Sequence, residues 1–111
     1  MVNSTPDRGD IIWITLTPQS GHEQAGRRPA LVLSPRSYNQ LVGLALCCPV
    51  TSRVKGYPFE VSLSNDSPVC GVVLADQVKC LDWRAREAEI AGEAPSGVVA
   101  EVLGKLNSLL S

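Results

Sequence analysis

Histidine is almost missing from this chain: His22 stands alone among 111 residues. No Cys-x-x-Cys pair accompanies it, so the sequence offers no ligand set for a structural zinc. With the single imidazole placed between Gly21 and Arg28, no Ser-His-Asp set can be assembled either. Long apolar runs are also lacking. The stretch Leu41–Cys48 is far too short to span a bilayer. Residues 1–10 carry Asp7, Arg8 and Asp10 with no hydrophobic core, which excludes a signal peptide and points to a cytoplasmic protein. No repeat or low-complexity tract divides the chain, and 111 residues can bury a core unaided, so residues 1–111 are read as one domain. Aromatics are scarce, two tryptophans, two tyrosines and one phenylalanine. Trp13 and Trp83 read as core or interface anchors, and Tyr57 and Phe59, which could stack on a base, read as core.

The four cysteines, Cys47, Cys48, Cys70 and Cys80, do not form an evident disulfide framework. Three fall in apolar, strand-like segments, and the adjacent Cys47 and Cys48 would point to opposite faces of a strand. Packed, reduced thiols fit better. One further absence is local: no acid occurs between Glu23 and Glu60, a window that holds Arg27, Arg28, Arg36, Arg53 and Lys55. The tail reverses this, with Glu87, Glu89, Glu93 and Glu101 against Lys105. A near-neutral chain thus presents a basic half fit for a polyanion.

What is present reads as mainly β. Strands are predicted over Asp10–Thr17, Ala30–Leu33 (a continuous apolar run buried on both faces), Gly43–Val50 broken by Pro49, Tyr57–Leu63, Gly71–Ala75 and Gln77–Leu81. Pro18–Arg27 is a loop, and Pro35–Gln40 a brief helical turn capped by Ser34. From Pro95, apolar residues at Val98, Val99, Val102, Leu103, Leu106, Leu109 and Leu110 follow helical spacing, leaving Glu101, Lys105 and Asn107 to water. Short strands at this spacing favour a small barrel, one side closed by the C-terminal helix.

Chemistry concentrates in Gly21-His22-Glu23-Gln24-Ala25-Gly26-Arg27-Arg28-Pro29. His22 and Glu23 can move protons from a loop hinged by two glycines, while Arg28, extended by the following Pro29, can hold phosphate oxygens with its planar fork. Its alternative is a structural pairing with Asp76 or Asp82. Thr51 or Ser52, at a strand end before Arg53-Val54-Lys55-Gly56, could donate a hydroxyl to a phosphate oxygen. Asp76 lies between apolar strands, where a charge needs a partner or a purpose. Gln77 and Lys79 suit a base edge and a phosphate, and Gln24, Arg27, Arg53 and Lys55 extend the RNA-binding set. Together these make a phosphodiester site needing no metal and no cofactor. Attack by a 2′-hydroxyl on its own phosphate is a reaction open to RNA and closed to DNA.

Gly9-Asp10-Ile11-Ile12-Trp13, Glu23-Gln24-Ala25-Gly26-x-Arg28-Pro29, Val32-Leu33-Ser34-Pro35, Lys55-Gly56-Tyr57-Pro58-Phe59-Glu60-Val61 and Leu74-Ala75-Asp76-Gln77-Val78-Lys79 together resemble the MazF toxins of toxin–antitoxin pairs. Glu101-Val102-Leu103-Gly104-Lys105-Leu106 also resembles the related Kid/PemK toxins. The resemblance implies a small SH3-like barrel of the Kid/MazF/CcdB kind with a C-terminal helix, paired as a homodimer. It implies a sequence-specific endoribonuclease that cuts single-stranded RNA without metal and leaves a cyclic phosphate. An antitoxin with an acidic, disordered tail would block the groove. By position, Arg28 and Thr51 match the MazF residues that hold and polarise the phosphate, and Glu23 the proton-transfer candidate. His22 and Asp76 match the Kid/PemK set, whose arginine two residues before the aspartate is Leu74 here. The competing readings are a CcdB-like toxin that binds a protein such as gyrase and a passive binding module.

Overall fold

The computed structural model describes residues 4–16 and 26–111. Its elements run β1 (Asp10–Leu16), β2 (Gly26–Val32), α1 (Arg36–Val42), β3 (Ala45–Thr51), β4 (Glu60–Ser62), β5 (Val72–Leu74), β6 (Lys79–Leu81), β7 (Glu89–Glu93) and α2 (Val98–Leu110). All strand pairs are antiparallel, in the order β4-β5-β3-β2-β1-β7, with β6 also on β3.

Strand alternation splits the apolar residues of β1–β3 into two cores. Ile11, Leu31, Cys48 and Val50 face one way, where Val61, Val73, Val98 and Val102 of β4, β5 and α2 cover them. Ile12, Ile14, Ala30, Val32, Ala45 and Cys47 face the other, beneath Trp83. The mainly β architecture with a C-terminal helix is as expected, and Cys47 and Cys48 do take opposite faces. The ladder itself stays open. Among the described residues β4 does not pair with β7, and α2 packs against β4 with Val98 and Val102 in the core.

Several local expectations are corrected. Ser34 does not cap α1: it is buried, donates to Asn39 Oδ1 at 2.6 Å and accepts from the Leu46 N–H. Asp7 takes over, its Oδ1 accepting the Arg36 N–H at 2.8 Å. That contact is the largest influence holding the Asp7 carboxyl below its usual range. Asn39 is fully buried with every polar group used, its amide on Pro6 and Ser34 and its carbonyl on Trp83 Nε1. Gly43 then ends α1 in the left-handed region at φ 79, where a side chain would be strained.

Pro49 does not break β3. The strand changes partner around it, pairing with β6 through Cys47↔Lys79 and with β5 from Val50↔Val73, so the missing N–H falls where the ladder is interrupted. Between those pairs β3 has two residues (48, 49) and the facing chain five (74–78), which throws Asp76 and Gln77 out of the sheet. β7 was not anticipated. Its sequence, Glu-Ile-Ala-Gly-Glu, lacks the alternation that marked the other strands. Cys70 and Cys80 are exposed although Cys80 lies in β6, and Lys105 is partly covered, its Nζ donating to the Pro58 carbonyl at 2.7 Å. Leu103, Leu109 and Leu110 of α2 are exposed rather than packed.

Candidate active site

Antiparallel pairing brings the C-terminal ends of β1 and β3 and the N-terminal end of β2 to one edge of the sheet, and the excursion between β5 and β6 opens beside Pro49 there. There they frame a groove of about 360 Å³, whose lining includes Thr51, Arg53, Lys55, Tyr57, Gln77 and Lys79. Leu16, Pro49 and Leu74 give it an apolar floor. Five of the residues singled out from sequence, Thr51, Arg53, Lys55, Gln77 and Lys79, therefore share one cavity.

Arg28 is not among the lining residues, and the strand register sets it beside them. It is opposite Ile14 on β1, and the β2–β3 register ends at Ala30↔Pro49. Two residues further along each strand, Arg28 and Thr51 stand on the face that carries Ala30 and Pro49, with Leu16 of β1 on that same side. The structural pairing weighed for Arg28 is not made: Asp76 accepts from Tyr57, and Asp82 from the Ala85 N–H. Arg27, one residue away, is turned to the other face. Its guanidinium bonds Thr15 Oγ1 and the Glu87 carbonyl, and it pairs with Glu89 at 3.3 Å. It belongs to the β1–β7 seam and not to the lining of the groove.

Thr51 is held from two sides. Its Oγ1 accepts the Arg53 N–H at 3.1 Å, leaving its proton available to an acceptor in the groove. Behind it, the Gly71 backbone comes so close that a Cβ there would lie 2.1 Å from the Thr51 carbonyl oxygen, and Gly71 has φ +121. Only glycine fits that approach.

Two groove residues escaped the sequence reading. Glu60 accepts the N–H groups of Lys55 and Gly56, both at 3.0 Å, and so folds the basic turn toward the cavity. Its outward place in the alternation of Tyr57–Leu63 was the available signal. Tyr57, assigned to the core, is instead exposed in the groove, while Phe59 does pack against the core. The Tyr57 hydroxyl donates to Asp76 Oδ2 at 3.1 Å, and this bond is the leading reason its pKa is raised. Asp76 Oδ1 is buried with no hydrogen-bond partner among the described residues. Beneath it the Cys48 thiol is pushed up to about 12, by burial first and then by the Asp76 charge. His22, Glu23 and Gln24 lie outside the described residues. They belong to the connection between Leu16 and Gly26, which pair with each other at the groove end of β1 and β2.

Comparison with known proteins identifies the family. Over 105 residues the chain is 50% identical to the endoribonuclease toxin MazF of Escherichia coli K12, covering 95% of this chain and 94% of that one. A MazE–MazF crystal structure from Deinococcus radiodurans superposes with a TM-score of 0.90 at 61% identity, covering 97% of both chains. MazF of the same organism, crystallised in another form, gives 0.89 at 61% identity over 97% and 98%. A family match extends over residues 7–110, and on these grounds the chain belongs to the PemK-like, MazF-like toxins of type II toxin–antitoxin systems.

Proposed function

We propose that this protein is the toxin of such a pair and cuts single-stranded RNA at specific sequences, using its own side chains without a metal ion. The observation that carries this reading is that Arg28 shares a strand face with Thr51, which lines a groove together with Arg53, Lys55 and Lys79. The kinship with enzymes named endoribonucleases supports it.

In this mechanism the cations draw the strand into the groove. A ribose 2′-hydroxyl attacks the adjacent phosphorus, a proton leaves that hydroxyl, and another is delivered to the departing 5′-oxygen, giving a cyclic phosphate. Arg28 grips two non-bridging oxygens and stabilises the charge that builds on them. Thr51 donates its hydroxyl proton to a phosphoryl oxygen. Glu23, with His22 in support, moves the protons, from a connection that starts and ends at this edge of the sheet. Gln77 and Gln24 read base edges.

The protein acts in the cytoplasm as a homodimer, one domain over residues 1–111. An antitoxin with an acidic tail competes with RNA for the basic groove, in keeping with the MazE–MazF complexes of its relatives. The test is incubation of purified protein, with EDTA present, with a long single-stranded RNA and the matching DNA, followed by mapping of new ends. Discrete cuts in RNA alone, ending in cyclic phosphate, are expected. Growth arrest by folded protein that cuts no RNA would replace this reading with a toxin that binds a protein target.

A further inference from the structure

We propose that Tyr57 is the stacking platform for one base of the RNA strand, held in its orientation by Asp76. This rests on the groove being the RNA site.

Tyr57 is 41% exposed and lines the cavity. Its orientation is nevertheless set from two sides. The hydroxyl is tied to Asp76 Oδ2 at 3.1 Å, and the ring meets Phe59 at 76° with centroids 6.5 Å apart. Phe59 is itself anchored against the core. The backbone beside Tyr57 is held as well, by Lys105 on the Pro58 carbonyl and by Glu60 on the Lys55 and Gly56 N–H groups.

An aromatic that served only the core would be covered. One that moved protons would be tuned toward ionisation, and here the bond to Asp76 raises its pKa, so the hydroxyl stays a donor. What is left is an exposed, oriented aromatic ring in a cavity also lined by Arg53, Lys55 and Lys79. Stacking on a ring already fixed costs little further entropy, and every base has a face to offer. The tether works in both directions. Tyr57 is the one donor to the Asp76 side chain among the described residues, and the other carboxylate oxygen is buried without a partner.

The test uses a 2′-O-methyl RNA strand, which keeps the sugar pucker and cannot be cut, with 2-aminopurine placed at successive positions. Wild-type protein should quench the fluorophore at one position. Tyr57→Leu should lose that quench and bind about tenfold more weakly, the order of magnitude that base–aromatic stacking gives. Tyr57→Phe should keep the quench with weaker binding, and Tyr57→Trp, which also lacks the tethering hydroxyl, should keep the quench as well. Should Tyr57→Leu not fold, the Trp and Phe variants decide by the same readouts. Unchanged quench and affinity in Tyr57→Leu would overturn the proposal. So would a loss confined to binding of an acidic peptide. A wild-type protein that binds no RNA strand would instead overturn the reading of the groove itself.

Discussion

Arg27 and Arg28 are adjacent guanidiniums on one strand, and alternation of the backbone separates their work. Arg27 closes the seam to β7 through Glu89, and both partners are exposed, so the pair adds little to stability. Arg28 faces the groove edge beside Thr51. Arg28→Ala should therefore lower the cleavage rate by roughly a hundred- to a thousandfold, as loss of one charge-stabilising donor does elsewhere. Single-turnover rates would show it, with circular dichroism confirming the fold. Arg27→Ala should leave that rate within about twofold. The sequence marked both arginines as cationic but not the phase of the alternation, because β2 begins at Gly26, before the apolar run that announces it. Thr51 was legible from its place at a strand end. Tyr57 was misplaced because an aromatic in an alternating strand usually packs, and its tether, Asp76, is distant in sequence.

Strands and turns carry the site by how they interrupt one another. The β3–β5–β6 arrangement puts Asp76 and Gln77 in a five-residue excursion opposite Pro49, and Gly71 lets β5 press against the end of β3. Gly71→Ala would force a Cβ into the Thr51 carbonyl. A loss of about 2 kcal/mol or more in urea unfolding is expected, together with a fall in cleavage rate. Full activity in Gly71→Ala would show that the close approach is unimportant to Thr51. Strands with strong apolar patterns, such as β1, were readable at once. β7 was not, because an edge strand of glutamates and a glycine derives its pairing from β1 and not from its own propensity. The Asp7 cap of α1 was hidden for a related reason: a contact across 29 residues leaves no local signature, so Ser34 looked the better cap.

Taken whole, the molecule is an antiparallel sheet buried on both faces at its centre, with the proposed site at one edge. The buried thiols report on that centre. Cys47 and Cys48 are each raised to about 12, chiefly by burial, against an ordinary value of 9.0. Folding favours their protonated forms, so this contribution is complete below pH 9 and declines as pH rises from 9 toward 12. In native protein at pH 8, Cys70 and Cys80 should react with a thiol reagent while Cys47 and Cys48 wait for unfolding. Rapid reaction of all four would contradict the two-sided core. The proposed mechanism depends on the 2′-hydroxyl of the RNA itself. An oligoribonucleotide containing one cleaved sequence, with a single 2′-deoxynucleotide on the 5′ side of the cut phosphate, tests it most directly. Binding without cleavage is the expected result, and cleavage at the unmodified rate would contradict attack by the neighbouring hydroxyl.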